Sequence, residues 1–210
     1  MTDTSSEPHP SRTKILDASL QVIRARGYSA TRIEDVCAEA GLTKGSFFHH
    51  FRGKEDLAVA AADHFGAMAE RIFSAAPYRQ LPDPVDRLLG YVEFRQSILD
   101  RPVPEFTCLL GTMVQEAYDT HPAIREACDR NISAHAQELQ RDIVEAREVH
   151  ASEADWTPES LALYTQAVIQ GAFVLAKAKG SHHVAVQMLD HLQRYLRLLF
   201  GRSDPRPTPP

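Results

Sequence analysis

One stretch constrains this chain more than any other: TRIEDVCAEAGLTKGSFFHHFRGKEDL, from Thr31 to Leu57. Thr31 and Glu34 have capping-box spacing, a hydroxyl for one free N–H and a carboxylate for another. Ile33, Val36, Cys37 and Ala40 then recur at helical spacing, which predicts a short amphipathic helix over Arg32 to Ala40. Gly41 follows, where a left-handed backbone is needed and a Cβ would clash. Thr43 is placed to cap a second helix, Lys44 to Phe51. Two short helices joined by a tight turn containing glycine make a helix-turn-helix, whose second helix can enter the DNA major groove. A third helix starts at Gly53, with Glu55 and Asp56 near its positive end.

The net charge of −5 seems to oppose DNA binding, but its distribution does not. Residues 11–54 carry eight Lys/Arg against four Asp/Glu, so the acidic excess lies elsewhere. Only one end of the chain is suited to phosphate. The three cysteines, Cys37, Cys108 and Cys128, have no CxxC spacing, and no apolar run opens the chain. These features predict a cytoplasmic protein without a disulfide framework. No apolar stretch reads as a membrane helix; LALYTQAVIQGAFVLA is too short and holds two glutamines.

Periodicity and proline punctuation predict an all-α chain of about nine helices, with no strand pattern and no internal repeat. Residues 1–10 read as a disordered arm and 11–57 as the helix-turn-helix domain. Residues 58–201 read as a helical effector-binding and dimerisation domain, and 202–210 as a disordered tail. Asp83 caps and Pro84 starts one helix of the second domain.

Lys44, Gly45 and Ser46 sit at the exposed start of the reading helix, where Lys44 can reach a guanine edge and Gly45 lets the backbone come close. Phe47 either touches a thymine methyl or is core. His49 and His50 are in reach of phosphate, and Thr31, Arg32, Arg52 and Lys54 flank the helix. Lys54, at a helix start, reads as a phosphate clamp. Cys37 reads as packing.

In the second domain Arg95 interrupts the apolar row Leu88, Val92, Leu99. A buried Arg demands an anion, either a carboxylate-bearing effector or an internal partner such as Glu116, unless it snorkels to water. Tyr91, Phe94, Phe106, Met113, Trp156 and Phe173 are candidates for an apolar pocket, or for core. The adjacent pairs His49–His50 and His182–His183 point apart on a helix and make no metal site. No phosphate loop, nucleophile elbow or HExxH occurs, so the chain does not read as an enzyme, and no cofactor is implied.

The pieces ARGYSATRIEDV, AGLTKGSFFHHF and GKEDL, at their spacing, resemble the DNA-binding domain of TetR-type transcriptional regulators over residues 11–57. The resemblance implies a homodimer that binds a palindromic DNA operator, represses, and is released by a small-molecule effector. It also implies that the helix after Lys54 links the DNA head to the ligand body. That family commonly has a phosphate-binding tyrosine where this chain has Phe48. Its dimerisation mode matches two wide stripes near the C-terminus: Tyr164, Ala167, Val168, Gly171, Ala172 and Leu175, then Met188, Leu189, Leu192, Tyr195, Leu196 and Leu199. The alternative is that both stripes bury within one monomer.

Cys108 falls in the first turn of a helix that follows Pro102 and Pro104, a position that favours thiolate. CLLGTMVQE is similar to a segment of TetR-type regulators that answer electrophiles or oxidants; the plain alternative is a packed thiol. The reading as a whole is a homodimeric, ligand-responsive DNA-binding regulator. Its rival is a helical ligand-binding or enzymatic protein that carries a helix-turn-helix without using it.

Overall fold

A computed structural model describes residues 9–203. Within them lie ten α-helices and one 3-10 turn, and no strand. They are α1 Pro10–Arg26, α2 Ile33–Ala40, α3 Lys44–His50, α4 Lys54–Ser74, α5 Pro84–Ser97, α6 Val103–Phe106, α7 Leu109–Ala117, α8 Pro122–His150, α9 Pro158–Lys179 and α10 His183–Leu199; the 3-10 turn is Pro77–Gln80. The helix beyond the nine expected is α6, a single turn ending at Phe106. It moves Cys108 from inside a helix to the N-cap of α7. Of the two expected disordered ends, residues 1–8 and 204–210 lie outside the described residues, while Pro10 is the first residue of α1.

The chain forms two compact units. One comprises the described part of Met1–Ala69 together with Cys108–Ile132. Its core gathers Ile15, Leu16 and Ile23 of α1, Val36 and Cys37 of α2, Phe47 of α3 and Leu57 and Ala61 of α4. Leu109, Met113, Ile124 and Cys128 complete it, from α7 and the start of α8. Three helices of seven to seventeen residues cannot bury enough apolar surface by themselves. The added helices supply the missing contact, each large buried side chain being worth about 1.5–3 kcal/mol.

The expected capping box falls one residue later than its spacing suggested. Thr31 is buried and donates its hydroxyl to the Gly27 carbonyl at 2.7 Å. Arg32 is the N-cap of α2, and Asp35 rather than Glu34 accepts its N–H at 3.1 Å. The turn after α2 is a Schellman motif: Gly41 is left-handed at φ 65°, and Leu42 N–H reaches the Cys37 carbonyl at 2.9 Å.

The other unit comprises Glu70–Thr107 and the described part of Ser133–Pro210. Asp83 caps α5 as expected, accepting from Val85 and Asp86 N–H at 2.8 and 3.3 Å. α10 packs on α9 and α5, burying Ala185, Leu189, Leu192 and Leu196 at four- and three-residue steps. Thus Leu189, Leu192 and Leu196, expected in a dimer stripe, are core of one protomer. On α9 the large apolar side chains left exposed are Leu163, Tyr164, Val174 and Leu175, and on α10 they are Tyr195 and Leu198. α9 turns out long and apolar enough to cross a membrane by length and composition. One of its faces, however, is built into the core and includes Thr165 and Gln166, as befits a core helix.

Candidate DNA interface and ligand site

The reading helix is held from beneath. Phe47 is fully buried, with the Phe51 ring 5.5 Å away, and it belongs to the core rather than to DNA. The register explains this: positions 47 and 51 are one helical step apart and share the inward face. Phe48, next along, is the exposed aromatic of the helix. Thr43 accepts the Ser46 N–H at 3.2 Å, which fixes where α3 begins. Lys44 and Gly45 are exposed at that start, and only Thr43 Oγ1, at 3.7 Å, would lie near a Cβ on Gly45. A groove edge can therefore approach the backbone there.

Lys44 is ion-paired with Glu34 across the turn. Its hydrogen bond to Glu34 holds that carboxyl below the usual range. The pair is exposed on both sides and so weak, and any other partner of Lys44 has to displace it. Arg32 is exposed on the neighbouring helix.

Lys54 has a different employment from the one its position suggested. Its ammonium donates to the carbonyls of Tyr28, Ser29 and Thr31 at 3.1, 3.2 and 3.1 Å, and lies 4.5 Å over the Tyr28 ring. All three N–H groups are thus directed at the loop between α1 and α2. Nothing in the sequence near Lys54 signals this, because its acceptors are backbone atoms more than twenty positions away.

His49 and His50 end α3, and His9 joins them, with ring centroids 6.5 and 5.2 Å away. Ser11 Oγ links His9 Nδ1 at 2.8 Å to His50 Nε2 at 2.5 Å. Desolvation, with His49, His9 and Arg12 nearby, pushes His50 below the ordinary histidine range. Among the described residues no group of three His, Cys, Asp or Glu is arranged to hold a metal ion.

In the second unit, the expected pocket residues fall into separate groups. Tyr91, Phe94 and Arg95 of α5 come together, with Phe73, Tyr78, His135 and Gln166 around them. The Arg95 guanidinium lies 4.2 Å over the Phe73 ring. Its Nε donates to Tyr91 Oη at 3.1 Å and its Nη2 to His135 Nε2 at 2.9 Å. Tyr91 Oη also accepts from Gln166 Nε2 at 3.2 Å and donates to His135 Nε2 at 3.0 Å. Burial, then Arg95 and Arg79, push His135 down to about 3, so its ring is neutral and accepts through Nε2. Phe106 and Phe173 form a pair of their own at 5.8 Å. Trp156 packs on Phe200 with Arg147 at its face. Met113 and Cys108 are in the other unit, Met113 fully buried in its core.

Arg95 does not pair with Glu116. That carboxylate, also in the first unit, accepts the N–H groups of Tyr28 and Ser29 at 3.2 and 2.8 Å. His135 and Gln166 were missed because a lone His or Gln on a long helix gives no signal until the partner helix is known.

Comparison with known proteins decides what this arrangement is. Residues 15–61 match the family described as bacterial regulatory proteins, tetR family, and residues 84–192 match the tetracyclin repressor-like C-terminal domain. The chain belongs to the TetR family. It is thus a transcriptional regulator, with its helix-turn-helix as the DNA-binding element, and the family is one of regulators rather than enzymes.

Among TetR relatives, the transcriptional repressor DhaR of Mycobacterium sp. (strain GP1) is 28% identical over 180 residues, covering 86% of this chain and 89% of DhaR. The repressor NemR of Escherichia coli K12 is 25% identical over 194 residues, covering 90% and 94%. The fold agrees. A TetR regulatory protein from Rhodobacter sphaeroides superposes with a TM-score of 0.80 at 22% identity, over 89% of this chain and 99% of that one. The reduced form of E. coli NemR gives 0.76 at 24% identity, over 89% and 96%.

Proposed function

We propose that the protein is a homodimeric repressor that occupies a palindromic operator and leaves it when a small molecule binds the helical body. The observation that carries this reading is the start of α3. Lys44 and Gly45 are exposed, with Ser46 half-buried beside them, while Phe47 and Phe51 anchor the same helix in the core. Rigid presentation of a basic, open helix start is what base reading requires. The names of DhaR and NemR, both repressors, support the direction of regulation. A DNA partner makes the cytoplasm its place of work.

The dimer uses the face that the protomer leaves apolar. Tyr164, Ala167, Gly171, Val174 and Leu175 recur at helical spacing along the exposed side of α9. A Cβ on Gly171 would meet nothing within 4 Å of its own chain, which leaves room for a second helix. Tyr195 and Leu198 extend the patch on α10, and the Tyr164 and Tyr195 rings are 5.0 Å apart. Two helices meeting their two-fold mates give a four-helix interface.

A second trigger for release runs through Cys108. It is the least buried of the three cysteines, and its Sγ accepts the Gly111 N–H at 3.5 Å at the head of α7. Addition of this thiol to an electrophile would put a new substituent at that helix start.

The test is a reporter gene placed behind DNA selected for binding from a random pool. Co-expression of the protein is expected to silence the reporter, and an effector found by screening for DNA release is expected to restore it. A reporter unaffected or switched on by the protein would overturn the repressor reading.

A further inference from the structure

Arg95 is half-buried and carries a charge that no carboxylate pairs with among the described residues. Its two protein partners are the Tyr91 hydroxyl and the neutral His135 ring, and neither is a carboxylate. They occupy only the Nε–Nη2 side of the guanidinium. No hydrogen bond to Nη1 and no ion pair to a carboxylate is made by Arg95 among the described residues. The carboxylates of this neighbourhood are committed elsewhere. Asp142 takes Arg79 at 3.0 Å and Arg87 at 2.7 Å, and Glu145 takes Arg87 as well. Arg79 and Arg87 thus hold these carboxylates, and Arg95 is the arginine of the group without a carboxylate partner.

The walls around that charge are apolar. Phe73 covers one face of the guanidinium, Phe94 stands edge-on to Phe73 at 5.4 Å, and Tyr78 closes on Phe94 at 6.0 Å. Burial pushes the Tyr78 hydroxyl up to about 12, so it adds no negative charge. Tyr91 and Gln166 hold the Arg95 side chain in place through a closed hydrogen-bond chain. The guanidinium is preorganised, half used, and set among rings.

We infer that the effector is a small monocarboxylate with an apolar body, its two oxygens taken by the open Nη1–Nη2 end of Arg95 and its body lying against Phe73, Phe94 and Tyr78. The inference rests on the reading of the chain as a ligand-released regulator and adds the ligand's chemical class. A planar carboxylate fits the two-pronged end of a guanidinium. One negative charge suits the one arginine of the group without a carboxylate partner, and the rings favour an apolar remainder over a second polar group. Tyr91 and His135 then act as positioning residues.

The probes are butyrate, hexanoate and benzoate, each compared with its own amide and with butyl phosphate. Binding to the intact dimer is read by calorimetry, and release of a selected operator by fluorescence anisotropy. At least one acid is expected to bind roughly 100-fold tighter than its amide, the size of effect seen for a desolvated charge pair, and to release the operator. Arg95→Gln is expected to bring acid and amide within a few-fold of each other. Acids that bind no tighter than their amides, tighter binding of butyl phosphate, or an Arg95→Gln protein that keeps the preference would each overturn the inference. The acid–amide ratio in the native protein decides the matter even if Arg95→Gln does not fold. Operator binding without ligand separates the two claims: its loss sinks the regulator reading, whereas binding that no acid relieves sinks only the assignment of ligand class.

Discussion

Glu116 occupies the space that a side chain on Gly27 would fill: a Cβ there would lie 2.3 Å from Glu116 Oε1. Gly27 ends α1 at φ 86°, and the space it leaves lets the α7 carboxylate reach the N–H groups of Tyr28 and Ser29. One glycine therefore serves both the turn and the docking of α7 on the DNA-binding head. Glu116→Ala is expected to lower the stability of the head by about 1 kcal/mol, with Glu116→Gln retaining part of it. Urea unfolding followed by hydrogen exchange at residues 27–32 measures this; unchanged exchange there would show that the carboxylate is idle.

Lys54 and Lys44 should fail differently. Lys54→Met removes three hydrogen bonds to the α1–α2 loop and is expected to cost roughly 1–2 kcal/mol of head stability, with DNA affinity falling for all sequences alike. Lys44→Ala is expected to leave stability unchanged. Unfolding curves of the two variants, run side by side, check the distinction.

The apolar helices separate folding from assembly. Leu192→Glu places an unpaired charge in the core of α10 and is expected to cost about 3 kcal/mol or more. Tyr195→Glu with Leu198→Glu sits on the exposed face, and is expected to give a folded monomer with most operator affinity lost. Circular dichroism with analytical ultracentrifugation tells the two outcomes apart, and a stable dimer in the second variant would move the interface elsewhere.

His135 makes a pH prediction with a definite sign. Its folded value, about 3, lies below the ordinary 6.5, so the unfolded chain takes up a proton that the native chain refuses. Stability is then lost as pH falls below about 6.5, by up to about 1.4 kcal/mol per pH unit, until about pH 3. Above pH 6.5 the residue contributes no pH dependence. Replacing His135 by Gln should remove one proton from the slope between pH 6 and 4; an unchanged slope would show that the ring protonates in place.

Much of the DNA head was legible from sequence because its signals are local. Gly41, Thr43 and the Ile33–Val36–Cys37–Ala40 spacing act within one or two turns. The N-cap of α2 slipped by one residue because Thr31 had a competing acceptor in the Gly27 carbonyl, at 2.7 Å. The ligand site was half legible. Tyr91, Phe94 and Arg95 share one helix, whereas Phe73, His135 and Gln166 come from three others. Stripes on α9 and α10 were visible as apolar, but which half of a wide stripe turns inward depends on helix packing. So Leu192 and Leu196 were indistinguishable from Tyr195 until α9, α5 and α10 were seen together.

The most direct test of the account is selection of DNA from a random pool by the native protein and by Lys44→Ala. The native dimer is expected to enrich a palindrome whose half-site centres lie about 34–36 Å apart, one helical turn. Lys44→Ala is expected to enrich the same palindrome with preference relaxed at one base in each half. No enriched sequence, or an identical sequence and affinity from both proteins, would contradict the claim that α3 reads DNA through Lys44.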